Sequence, residues 1–217
     1  MASMAISMKG ITKAYGKNVI LADFSLNVQQ GEMIALQGVS GSGKSTILNI
    51  CGLIENFDKG QLMLFEKKAP VPNSSAAQKF IRNEINYLFQ NFALIENLTV
   101  EKNLLIALRY AKSSASEKAR QISKALDRVG LNGYAKRVVF ELSGGEQQRV
   151  SLARSVVKPA RLLLADEPTG SLDQGNRDIV LDLLKDINRQ GKTVVLVTHD
   201  VEVAAVCSRT VLLERQS

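Results

Sequence analysis

Gly38-Val39-Ser40-Gly41-Ser42-Gly43-Lys44-Ser45 follows the spacing GxxxxGK[ST]. Glycines at these positions let the backbone wrap closely and aim successive N–H groups at phosphate oxygens. A helix beginning near Lys44 adds its positive end to the same point. In this pattern Lys44 reaches the β- and γ-phosphates of a nucleotide, and Ser45 offers its hydroxyl to Mg²⁺. A glycine-rich strand–helix turn can also arise without a ligand, but here the flanking strand and helix are both present. Leu162-Leu163-Leu164-Ala165-Asp166-Glu167 is an apolar strand closed by two acids. Placed beside the phosphate loop, Asp166 could orient Mg²⁺ and Glu167 could polarise an attacking water. His199, the only histidine of the chain, falls just past another apolar run, at the edge where open α/β sheets bind ligands. A second anion cradle lies at Ser143-Gly144-Gly145-Glu146, a helix start with two glycines and a serine hydroxyl. One nucleotide has no evident need of two cradles. A head-to-tail pair of subunits, each lending its second cradle to the other, would use both.

These residues need a scaffold. Residues 4–31 alternate in short apolar and polar runs with turns expected at Gly10, at 16–18 and at 30–31, which reads as a small antiparallel β layer. A strand at 33–37, the glycine loop and a helix toward Leu53 open a doubly wound α/β unit. A strand at 61–65, a loop at 70–75, a helix at 76–83 and an extended piece at 86–90 follow. Ser114 with Glu117, and Ser143 with Glu146, are capping boxes for two helices, the second ending at Lys158-Pro159. Strands at 161–165, 193–198 and 210–214 alternate with helices at 176–189 and 201–207. The expected fold class is α/β: one domain over 1–217, with a core at about 1–90 and 158–217 and an inserted α-helical subdomain at about 91–157.

Composition narrows the function classes. Of the 217 residues 45% are hydrophobic, enough for a real core, yet no run approaches the ~18 apolar residues of a membrane-spanning helix. The N-terminus lacks the pattern of a secretory signal, so a cytosolic protein is expected. Cys51 and Cys207 form no CxxC pair and no zinc cluster. The net charge of +7 is dispersed rather than gathered in one block, which fits a surface near anionic lipid better than a nucleic-acid groove.

Leu142-Ser143-Gly144-Gly145-Glu146-Gln147-Gln148-Arg149, standing after the phosphate loop and before the Asp166-Glu167 strand, resembles the signature of the ATP-binding cassette (ABC) ATPases. The likeness runs from about Ile6 to Leu213 and implies a P-loop NTPase core that binds ATP and Mg²⁺. It implies nucleotide contacts from Gly38, Ser40, Gly41, Ser42, Gly43, Lys44, Ser45 and Thr46, with Tyr15 stacked on adenine. Asp166, Ser45 and Gln90 would serve the metal. Glu167, His199 and Lys44 would carry hydrolysis, and Ser143, Gly144, Gly145, Glu146 and Asp173 would act across a homodimer. Ser171-Leu172-Asp173 resembles the D-loop, although Asp173 could equally cap the following helix. Three functions compete: a transporter ATPase, a nucleic-acid or ribosome ATPase, and a non-hydrolysing clamp of the cell-division type. A single cassette, no coiled-coil insertion and no zinc module speak against the second. Glu167 and His199 favour active hydrolysis. The runs 89–94, 98–103 and 168–173 resemble the lipoprotein-release and macrolide- or peptide-efflux group, while 56–60 departs from its proline-containing turn. The resemblance implies a bacterial exporter subunit on the cytoplasmic face of the membrane. Its partners would be a homodimer mate, an integral membrane permease and a periplasmic or extracellular adaptor, with no nucleic acid. Apolar Phe92, Leu94 and Ile95 are the expected permease contact.

Overall fold

Strands apolar at every position are stable only in a sheet covered on both faces. The computed structural model, which describes residues 3–170 and 174–214, has such a sheet at its centre. Its five parallel strands run in the order β6 (Ile85–Leu88), β7 (Leu162–Asp166), β8 (Thr193–Val197), β3 (Met33–Gly38), β9 (Arg209–Leu213). The two-residue period of a strand divides them between two cores. Leu162, Leu164, Val195 and Val197 pack toward the β layer and α1 (Lys44–Cys51). Leu163, Ala165, Val194 and Leu196 face the helices.

The β layer is antiparallel, in the order β2 (Asn18–Gln29), β1 (Met4–Tyr15), β4 (Lys59–Leu64), β5 (Lys67–Lys68). Gly10 does not turn the chain as expected. It sits inside β1 at φ +60°, where the register shifts between Met8 and Ile11, and so marks a bulge. Gly60 lies against it: a Cβ there would stand 2.5 Å from the Gly10 carbonyl oxygen. The proline-free turn at 56–60 is fixed by Asp58, whose carboxylate accepts from Ala14 N at 2.8 Å and whose N–H donates to Thr12 O at 2.8 Å.

The helices are α2 (Ser75–Glu84), α3 (Val100–Ala107), α4 (Ala115–Arg128), α5 (Gly144–Val157), α6 (Gln174–Arg189) and α7 (Val201–Ala205). Both expected capping boxes form, at Ser114–Glu117 and Ser143–Glu146. Buried Leu104, Ile122, Leu126 and Val150 join the same core as Leu163 and Leu196, so the helical stretch shares its interior with the sheet. The extended piece at 86–90 is shorter than expected: β6 stops at Leu88 and Gln90 lies in the turn beyond. That turn is tightly held. Phe92 and Ala93 have positive φ, Arg154 donates to both their carbonyls, and buried Asn103 bonds to Ile95 through both N–H and C=O. The apolar patch expected from Phe92, Leu94 and Ile95 is therefore reduced, since Leu94 packs against the core and, of the three, only Ile95 is exposed.

Candidate functional site

The parallel strands deliver their C-terminal ends to one edge, where open α/β sheets place their ligands. There β3 runs into the phosphate loop, β7 ends on Asp166 and Glu167, β8 leads to His199, and the turn after β6 brings Gln90. Around them lies a cleft of about 820 Å³. Ser40, Gly41, Gly43, Lys44, Ser45, Thr46, Gln90, Asp166, Glu167 and His199 all line it, so residues up to 159 positions apart share one wall system.

The loop is compact. Ser42 N donates to Val39 O, and the buried Lys44 ammonium donates to Gly38 O at 2.8 Å and Val39 O at 2.9 Å. Two of the three ammonium donors are thus used and one is left. Ser42 Oγ is buried without a hydrogen-bond partner. Gly38 tolerates no side chain, because a Cβ would run into the Leu213 carbonyl and Ser42 Oγ. A closely wrapped loop with an ammonium at its head fits a polyphosphate. One hydroxyl (Ser45), one carboxylate (Asp166) and one amide (Gln90) are hard oxygen donors suited to Mg²⁺ held together with phosphate. No cluster of three or more metal-ligating His, Cys, Asp or Glu side chains occurs among the described residues.

Glu167 is the most constrained member. Its φ is +47°, its N–H donates to Val197 O at 3.1 Å, and its side chain is 16% exposed. His199 Nε2 stands 3.1 Å from Glu167 Oε1, close enough for a charge contact but not aligned as a hydrogen bond, so that oxygen has no donor. Burial holds the Glu167 carboxyl above its usual value of 4.5, with the His199 charge as the chief opposing influence. A carboxylate kept dry, underbonded and beside an imidazole can accept a proton from water.

Other expected site residues lie elsewhere. Gly38 and Ser42 belong to the loop but do not line the cleft, and Ser42 is buried. Tyr15 is half exposed at the end of β1, where its hydroxyl donates to Glu55 and Lys13 sits 4.9 Å above its ring. Ser143, Gly144, Gly145 and Glu146 do not line the cleft. Their helix start is preformed nonetheless. Glu146 accepts from Ser143 N at 2.8 Å and from Tyr134 Oη at 2.9 Å, and these bonds lower its pKa. Gln148, buried in the same helix, donates to Pro168 O just past Glu167. Asp173 lies outside the described residues. Ile20, Thr169, Gly170, Arg177, Val197 and Asp200 also line the cleft and were not singled out. Asp200 could have been found beside His199, and Thr169 and Gly170 close after Glu167. Nothing in the spacing marks Ile20 or Arg177.

Known proteins resemble this chain over most of its length. The family profile described as ABC transporter matches residues 21–170. The chain is 37% identical over 206 residues to the macrolide export ATP-binding/permease protein MacB of Campylobacter jejuni, covering 95% of this chain and 32% of that protein. It therefore spans about a third of the length of the MacB relatives it matches. It is 38% identical over 213 residues to the uncharacterized ABC transporter ATP-binding protein YvrO of Bacillus subtilis, covering 96% and 93%. Among solved structures it superposes on the cassette MJ0796 in a dimeric post-hydrolysis state bound to ADP and Pi. There the TM-score is 0.90 at 34% identity, covering 98% of this chain and 97% of that one. With the profile matched over more than half its length, this chain belongs to the ABC transporter family as an ATP-binding cassette.

Proposed function

We propose that this chain binds ATP with Mg²⁺ in the cleft, hydrolyses it as a homodimer, and drives a membrane permease of the lipoprotein-release, macrolide or antimicrobial-peptide export type. The observation that carries the reading is the meeting of Lys44, Ser45, Asp166, Glu167 and His199 on one cleft. Lys44 and the loop N–H groups, with Gly41, Gly43 and Thr46 around them, bind and orient the phosphates. Ser45, Asp166 and Gln90 hold Mg²⁺, which neutralises phosphate charge when bound. Glu167 takes a proton from the attacking water, and His199 steadies the charge that develops opposite it. The cradle at Ser143–Glu146 is capped but does not line its own cleft, which supports a role on a partner's nucleotide. The dimeric state of MJ0796 supports the same pairing. Tyr15 beside the adenine and Asp173 at the dimer seam belong to this proposal.

A separate groove of about 460 Å³ supports the permease. Ile54, Tyr87, Phe89, Ile106 and Tyr110 line it, and Ile106 and Tyr110 are about half exposed. Tyr87 and Phe89 stack at 4.1 Å, and Tyr87 Oη donates to Asn49 of α1 at 2.8 Å. The groove is thus bonded to the helix that begins at the phosphate loop, and it lies one residue before Gln90. A permease segment seated there would place this chain on the cytoplasmic face of the membrane, and an adaptor would join through the permease.

Lys44→Ala should abolish Mg²⁺-dependent ATP hydrolysis. Glu167→Gln should cut the rate by about 10²–10⁴-fold, while gel filtration shows a dimer that persists with ATP. A Lys44→Ala protein that still hydrolyses ATP would remove the cleft from consideration.

A further inference from the structure

Arg177 stands on the first turn of α6 and lines the cleft, yet the chemistry above gives it no task. Its side chain is 19% exposed, and its guanidinium meets two carboxylates from α7. One nitrogen lies 3.0 Å from Asp200 Oδ2 and another contacts Glu202. Its Nε is buried with no hydrogen-bond partner among the described residues. Other ion pairs on α6, Lys185–Asp182 and Arg189–Asp186, are separated by 3.4 Å, and each has one side chain at least 75% exposed. Pairs of that kind contribute little. The Arg177–Asp200 arm differs, with side chains only 19% and 27% exposed, so it is the more rigid tie, and breaking it leaves a poorly solvated charge, while the Glu202 arm is 73% exposed and adds less.

What the tie holds is the loop 198–200. Asp200 already caps α7, with its carboxylate accepting from Glu202 N at 2.8 Å and Val203 N at 3.3 Å. Its own N–H donates to Thr198 Oγ1 at 3.0 Å. His199 sits between Thr198 and Asp200, with an imidazole 61% exposed that stands against Glu167. Little packing fixes the ring itself, so its place depends on how firmly the loop is anchored. The inner anchor is local, from Thr198. The outer anchor is Arg177, which comes from a different element.

We propose that Arg177 is a positioning residue that clamps the loop 198–200 to α6, so that His199 stays beside Glu167. The role in turnover rests on the ATP-hydrolysis reading above; the clamp itself does not. Because His199 is the only histidine, its imidazole gives a single NMR signal in the full chain, which reports on the loop without any need for activity. Arg177→Met should shift or broaden that signal, and Arg177→Lys should restore part of it. Turnover of ATP should fall by about tenfold to a hundredfold in Arg177→Met, with KM for ATP within about twofold, as expected for a group that acts on the reacting geometry rather than on binding. Glu202→Gln, at a 73% exposed position, removes the outer arm alone and should move the His199 signal in the same direction by less. It also serves if Arg177→Met fails to fold. An unchanged His199 signal in these variants would overturn the proposal. So would a raised KM with unaltered turnover, which would mean that Arg177 binds nucleotide directly. If the wild type does not hydrolyse ATP, the imidazole signal still decides whether the clamp exists.

Discussion

Glu167 adopts a left-handed backbone conformation that costs a non-glycine residue of order 1–3 kcal/mol, and residues held that way cluster at functional sites. Its side chain adds a second cost. The folded state raises its pKa above 4.5, so the folded protein binds this proton more tightly than the unfolded chain does. The resulting penalty is fully present above the folded pKa and is relieved as pH falls toward the unfolded value. Glu167→Gln should therefore melt at a higher temperature than wild type at neutral pH, and the gap should close as pH drops toward about 4. Calorimetry at several pH values checks both the sign and the window. In the proposed role the same carboxylate must be ionised to act as a base, so turnover should fall on the acid side at a pH above the usual value of 4.5. The types and spacing of the residues at 38–45, 166–167 and 199 were enough to single out Lys44, Ser45, Asp166, Glu167 and His199, which the fold brings to one cleft. Arg177 was not legible, because its importance lies in a contact between α6 and α7 that no local pattern encodes. Leu94 was misread for a related reason: an apolar residue in a turn looks free until the element that covers it is known.

Two helices of equal length, α4 and α5, begin with the same capping box, and only one of them carries a proposed nucleotide contact. Ser114→Ala and Ser143→Ala should each cost about 1 kcal/mol of stability. Only Ser143→Ala should also lower ATP hydrolysis, as steady-state rates on the two variants would show. Equal rates would remove the second cradle from the mechanism. The helices, strands and caps could be read from sequence because period and capping are local. The bulge at Gly10 could not, since the glycine that faces it, Gly60, is fifty residues away. Gln90 was placed at a strand end for want of similar information; the hydrogen bonds from Arg154 that hold its turn come from a residue distant in sequence.

For the molecule as a whole, the cleft is lined by the start of α1 at Lys44 and the groove by residues just past its end, Gly52 and Ile54. Ile106→Glu should place a charge in the groove without touching the phosphate loop. ATP binding should survive, and copurification with a membrane permease should be lost; unimpaired copurification would move the docking surface elsewhere. The hydrogen bond from Gln148 to the Pro168 carbonyl has a consequence for the paired molecule. It fastens α5, whose start is proposed to reach the partner's nucleotide, to the segment just past Glu167, which is proposed to serve the molecule's own. In the proposed two-fold pair the fastenings would close into a ring, so that what one protomer senses in its own cleft would be imposed on its mate's. Two such engines cannot idle separately: a mixed pair with one Lys44→Ala protomer should run far below half the wild-type speed, and a rate near one half would show that each fires alone.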